Sequence, residues 1–160
     1  MLTIKTSVLS GKHSVRDALK KVSTSKDKFL VADVGGRPSL LKQSQLRRVV
    51  SASGESELLH NLKREVGEEL IVVPKKSLTR FGISSRSGQL SGDVQGLMND
   101  LSQRLALINL SDGQSFLVSA SEAHLVDYHC KDNDHSYSPP PAWYEGMKCK
   151  ICGSEIVREG

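Results

Sequence analysis

Phe29-Leu30-Val31-Ala32-Asp33, then Gly35-Gly36, then Leu40-Leu41 is the stretch on which the fold turns. A short apolar run, a glycine pair and a second apolar run read as strand, tight turn, strand. Because its apolar residues are consecutive rather than alternating, the run Phe29-Leu30-Val31-Ala32 suits a buried strand. Upstream, Ser14-Val15-Arg16-Asp17-Ala18-Leu19-Lys20-Lys21-Val22 places apolar side chains at positions 15, 18, 19 and 22, the stripe of an amphipathic helix. Ser14 opens that helix with Asp17 three residues on, a capping-box pattern. Downstream, Lys42-Gln43-Ser44-Gln45-Leu46-Arg47-Arg48-Val49-Val50 reads as a second helix with a polar start. The unit is therefore helix, strand, strand, helix.

Residues 93 to 128 repeat the order of residues 14 to 50. Asp93 stands as cap before Val94, Leu97, Met98 and Leu101, and Leu105-Ala106-Leu107-Ile108 forms the first apolar run, ended by Asn109. Asp112-Gly113 supplies the turn, Phe116-Leu117-Val118 the second run, and Ser119-Ala120-Ser121-Glu122-Ala123-His124-Leu125-Val126 a closing helix. Between the copies, Leu58, Leu59, Leu62 and Val66 give another helical stripe, and Leu70-Ile71-Val72-Val73 another strand halted by Pro74. Residues 75 to 92, rich in Ser and Gly, read as linker and as the irregular start of the second copy.

This order, with a Gly turn between the strands and a Ser/Thr-x-x-acid start to the last helix, resembles a tandem pair of cystathionine-β-synthase (CBS) domains. The resemblance covers roughly residues 1–128, with a first copy at about 1–73 and a second at about 74–128. It implies an α+β fold of two pseudo-repeated helix-strand-strand-helix units. It also implies clefts between the copies that take adenine nucleotides, with AMP, ADP, ATP and S-adenosylmethionine as the candidate ligands. In the family the Ser/Thr and Asp that open the last helix contact phosphate and ribose. A helix N-terminus offers free N–H groups to phosphate, and a carboxylate accepts from ribose hydroxyls. Ser119 and Glu122 hold the matching positions in the second copy. In the first copy Lys42 and Gln45 stand there, a departure at both places, and Lys42 would act on a phosphate as a point charge. The bland reading of Ser119-x-x-Glu122 is a capping box, and that of Lys42 an exposed first-turn lysine. Family members of this kind dimerise face to face, so a homodimer is implied.

The remaining residues, 129–160, contain all three cysteines: Cys130-x4-His135, a Pro139-Pro140-Pro141 run, then Cys149-Lys150-Ile151-Cys152-Gly153. An odd count argues against a disulfide framework, and a Cys-x2-Cys pair with a further Cys and His fits a closed tetrahedral Cys3His site. Structural zinc is the expected metal, with Cys130, His135, Cys149 and Cys152 as ligands. His129 competes with His135 for the fourth place. His135 is preferred, because a turn built by Asp132, Asn133 and Asp134 brings it to the side of Cys130, whereas adjacent strand residues point to opposite faces. His129 then reads as an outward strand residue. Tyr128, Tyr137, Trp143 and Tyr144 are expected to supply the packing that so short a ribbon otherwise lacks. The rival readings are a redox Cys-x2-Cys pair and an iron-holding ribbon.

The formal charge of +4 on 160 residues is modest, and its location matters more than its size. Residues 129–160 hold Lys131, Lys148, Lys150 and Arg158 against Asp132, Asp134, Glu145, Glu155 and Glu159, a near-neutral ribbon. A module that grips a phosphate backbone is expected to be basic, so nucleic acid is the less favoured partner. No apolar run approaches the roughly 20 residues needed to cross a bilayer. The start, Met1-Leu2-Thr3-Ile4-Lys5, lacks the apolar core of a secretory signal, so with reduced thiols the chain reads as cytoplasmic. His13, His60 and His124 lie beside no nucleophile motif, and no catalytic constellation emerges. The expectation is a non-enzymatic regulatory or adaptor protein whose ribbon contacts an unidentified protein partner. The alternative is a zinc-ribbon module for nucleic acid or protein with no small-molecule ligand.

Overall fold

The computed structural model describes residues 1–63, 66–131, 136–137 and 144–159. The chain is mixed α and β. Its first part comprises β1 (Leu2–Thr6), β2 (Val8–Leu9), α1 (Val15–Thr24), β3 (Phe29–Val34), β4 (Arg37–Lys42), α2 (Gln43–Ser53), β5 (Glu68–Glu69) and β6 (Ile71–Val72). Then follow α3 (Lys75–Arg80), β7 (Ser84–Arg86), β8 (Gln89–Ser91), α4 (Val94–Leu101), β9 (Leu105–Asn109) and β10 (Ser115–Ser119).

Two four-stranded sheets carry the core, one in the order β2-β3-β4-β5 and one in the order β6-β9-β10-β1. In the first, β2 runs parallel to β3, and the other two pairings are antiparallel. In the second, β6 runs parallel to β9, and the other two pairings are antiparallel. Leu2–Leu9 and Glu68–Val72 each contribute one edge strand to both sheets. The β3–β4 turn is Gly35-Gly36 with φ of 60° and 86°. A two-residue turn with two positive φ values matches the twist of the hairpin, and glycine enters that region without steric cost.

Burial follows the strand period. Phe29, Val31 and Leu40 of one sheet pack with Leu105, Leu107 and Leu117 of the other, together with Leu70, Leu125 and Ile4. The opposite faces are covered by helices. Leu30, Ala32, Val34 and Leu41 join Val15, Ala18 and Val22 of α1 and Leu46 and Val49 of α2. Ala106, Ile108, Phe116 and Val118 join Leu78 of α3 and Leu97 and Met98 of α4. The layers are thus helix, sheet, sheet, helix, and unbroken apolar runs are what doubly buried strands need. Local sequence sets the helix starts. Ser14 Oγ accepts the Asp17 amide at 3.3 Å, and Asp93 Oδ1 accepts the Gly96 amide at 3.0 Å.

Three sequence expectations are corrected. Over Leu58 to Val66, where a helix is expected, the described residues hold a 3-10 turn at Leu59–Asn61. Its backbone donors go elsewhere: Leu59 N–H donates to His13 O at 2.9 Å and His60 N–H to Gly11 O at 3.1 Å. The apolar stripe still serves, since Leu59 and Leu62 are buried beneath α1 and α2. The helix expected over Ser119 to Val126 is a 3-10 turn at Glu122–His124, because Ser119 ends β10 and a further strand starts at Asp127. The linker expected over residues 75–92 contains α3 and the β7–β8 hairpin.

Leu117 is fully buried between the sheets. Leu117→Ala should therefore lower the unfolding free energy by about 2–5 kcal/mol with little change in denaturant slope, measured by urea titration.

Candidate metal centre

After β10 the chain forms β11 (Asp127–Cys130), β12 (Ser136–Tyr137) and β13 (Ile156–Glu159), a three-stranded sheet in the order β12-β11-β13. Cys130 pairs with Ile156 at the end of the β11–β13 ladder, and Lys131 N–H donates to Glu155 O at 2.9 Å. The second ligand cluster lies at the tip of a hairpin leading into β13. Ile156 N–H donates to Met147 O at 2.7 Å, Cys149 N–H to Ser154 O at 2.7 Å and Gly153 N–H to Cys149 O at 2.9 Å. Gly153 has φ +76°, the left-handed conformation that folds this knuckle back on itself.

These turns bring three thiols together. The Sγ atoms of Cys130, Cys149 and Cys152 all lie within 4.8 Å of one another, with Cys130 and Cys152 2.9 Å apart. Four ligands about a tetrahedral zinc with Zn–S near 2.3 Å place sulfurs about 3.8 Å apart, inside this spread. The Ile151 amide donates to Cys149 Sγ at 3.3 Å, the kind of supporting bond that favours a thiolate. Cys130 and Cys149 are buried at 0% and 3% exposure, while Cys152 is exposed. Burial first, then hydrogen bonds and charge from the neighbouring thiols, pushes the Cys130 thiol up to about 12. A divalent cation is the chemistry that makes three thiolates compatible at this spacing, so the donor set fits zinc.

His135 lies outside the described residues, as do Pro139–Pro141 and Trp143. His129 departs from its expected outward role: it is buried, on the strand face opposite Cys130. Tyr128 packs with Val126, Cys130, Cys149 and Ile156 as expected of a ribbon aromatic. Tyr144, expected to pack, is 63% exposed, and Ile151 at the knuckle tip is 73% exposed.

The ligand residues inferred from the first 128 positions are placed as follows. Ser119 is fully buried; its Oγ donates to Ser121 O and accepts the Ser121 amide at 3.3 Å. Glu122 lines a cavity of about 160 Å³ with Leu2, Ile4, Phe29 and Leu125. Lys42, expected to be exposed or to face a phosphate, is 2% exposed, and its Nζ donates to Val126 O at 3.0 Å. That bond ties the β4–α2 junction to the residue before β11. Gln45 Oε1 accepts the Lys42 amide at 2.8 Å, half of a capping box, since an ammonium has no lone pair with which to complete the other half.

Sequence reasoning missed His124 as a core residue. It is buried, its Nδ1 has no hydrogen-bond partner among the described residues, and burial, then the charges of Lys42 and Arg104, hold its pKa below the ordinary 6.5. Its position before a neutral Leu125-Val126 pair carried no such signal, because both cations arrive from distant sequence. Among the described residues no helix is long and apolar enough to cross a membrane. No protein-family model matches the chain, and no curated protein matches it in sequence.

Two outcomes follow from this geometry. Cys149→Ser should weaken zinc binding by more than the roughly 10–100-fold that loss of a supporting hydrogen bond costs, read by competition with a chromophoric chelator. The depressed pKa of His124 means that the unfolded chain takes the proton first. Its contribution to stability is present above pH 6.5 and is lost as pH falls below that value. His124→Leu should accordingly shrink the drop in urea midpoint between about pH 7.5 and about pH 5.5.

Proposed function

We propose that this chain is a non-enzymatic regulatory or adaptor protein, a tandem pair of CBS-like units followed by a structural zinc ribbon. The observation that carries the reading is the reciprocal strand pairing. Matching β2 with β6, β3 with β9, β4 with β10 and β5 with β1 turns one sheet into the other, with the parallel pairing in the same place. Each unit then borrows its outer antiparallel strand from the segment that leads into its partner unit. The capped helices α1 and α4 precede equivalent hairpins. The units differ at their ends, where α2 closes the first and a 3-10 turn the second.

A groove at the edge of these sheets supports the ligand half of the proposal. The cavity beside Glu122 shares Ile4, Asp27 and Phe29 with a neighbouring one of about 360 Å³, so both belong to one groove at the end of the sheet interface. Ile4 and Phe29 offer an apolar floor for a base, Glu122 a carboxylate for ribose hydroxyls, and Lys5, Lys21, Lys26 and Lys28 outnumber Asp27 at the walls. This charge favours AMP, ADP or ATP over S-adenosylmethionine, whose sulfonium is cationic. The exposed Tyr144 and Ile151 on the ribbon support a role in contacting a protein partner. A homodimer remains part of the proposal through the family resemblance.

Thermal denaturation with each of the four adenosyl ligands tests the reading. A nucleotide present at about 100 times its Kd should stabilise the protein by about 2.7 kcal/mol, and Glu122→Ala should reduce the shift. If none of them stabilises the protein at millimolar concentration, the nucleotide half fails. Salt-dependent binding to DNA or RNA would instead favour the nucleic-acid module.

A further inference from the structure

The three thiols differ in access. Cys152 is exposed, whereas Cys130 and Cys149 are buried, and the sulfur 2.9 Å from Cys130 Sγ is that of Cys152. Cys149 Sγ accepts the Ile151 amide, and Cys149 is buried. A small oxidant arriving from solvent therefore meets Cys152 first, with a second thiol already beside it. Reactive cysteines are those that combine access with thiolate character, and metal coordination supplies the latter.

We propose that Cys152 is an oxidation site, and that hydrogen peroxide converts Cys152 and Cys130 into a disulfide that expels the ribbon's metal. The inference rests on the zinc-ribbon reading of the same site. In the first step Cys152 sulfur attacks one peroxide oxygen and the O–O bond breaks. Sulfur becomes a sulfenic acid, and the departing hydroxide takes a proton to become water. In the second, Cys130 sulfur attacks Cys152 sulfur, the S–O bond breaks, and the second hydroxide leaves as water after protonation. Two thiolates are oxidised by two electrons in total, one peroxide is reduced to two waters, and two protons come from solvent. With two ligands removed, the zinc ion is released and Cys149 remains a thiol. The new bond would link β11 to the knuckle, so the ribbon exchanges a metal clamp for a covalent one.

The experiment uses the full chain loaded with zinc and treated anaerobically with hydrogen peroxide. Released zinc is followed with a chromophoric chelator, and the product is alkylated with iodoacetamide and mapped as non-reduced peptides. The expected result is a dominant Cys130–Cys152 linkage formed in step with zinc release, an alkylated Cys149, and recovery on adding dithiothreitol and zinc. Cys152→Ser should slow peroxide-driven thiol loss by about tenfold or more. A dominant Cys149–Cys152 linkage, over-oxidation without a disulfide, or zinc retained at millimolar peroxide would overturn the proposal. If the chain takes up no zinc, the metal reading fails, and peroxide treatment of the metal-free chain still decides the disulfide: Cys130–Cys152 supports the pairing and any other linkage refutes it.

Discussion

The apolar layer between the two sheets is the constraint on which the rest of the molecule depends. Phe29, Val31 and Leu40 meet Leu105, Leu107 and Leu117 there, while the next residue along each strand faces a helix. The inner strands β3, β4, β9 and β10 are therefore buried on both faces, as consecutive apolar residues require. The two segments that cross between the sheets, Leu2–Leu9 and Glu68–Val72, join them through backbone hydrogen bonds as well as packing. The β6-β9-β10-β1 sheet takes both of its edge strands, Ile71–Val72 and Leu2–Thr6, from segments that also supply edge strands to the other sheet.

The ribbon obeys a different economy. Among the described residues its buried cluster is Val126, Tyr128, Cys130, Cys149 and Ile156, with Met147 packed against it. A core of that size does not by itself offset the conformational entropy of its segments, which is why small modules of this kind use a metal or a covalent link. Its attachment is nevertheless built into the first domain. Lys42 reaches from the β4–α2 junction to the carbonyl of Val126, and a buried ammonium is tolerated only where such an acceptor meets it. His124 sits in the same region, where burial first, and then the charges of Lys42 and Arg104, lower its pKa. The stretch from β10 to β11 is thus a junction where the Lys42 ammonium is committed to the Val126 carbonyl.

Much of the core was legible because it is written in short-range pattern. The doubly apolar runs at Phe29 and Leu105, the Gly35-Gly36 turn and the caps at Ser14 and Asp93 depend on nearest neighbours along the chain, and each appears where expected. The failures share one cause. Leu58 to Val66 has a helical stripe, but its amides bond to Gly11 and His13, partners supplied by tertiary structure. Ser119 to Val126 has a helix-start motif, but β11 begins too soon for a helix to propagate. His129 looked outward because strand alternation says only that it opposes Cys130; it does not say that the opposite face is covered.

By itself the sequence determined the strand and helix periods, the glycine-dependent turn and the chemical nature of the cysteine cluster, since these follow from local sterics and from the affinity of thiolates for metal ions. Only the tertiary structure decided that Leu2–Leu9 and Glu68–Val72 are shared between sheets, that Lys42 is buried against Val126, and that Cys152 alone of the three thiols faces solvent. These are consequences of which surfaces meet. Hydrogen-bond partners, burial and access are properties of residues brought together from far apart in the chain, and no local pattern encodes them.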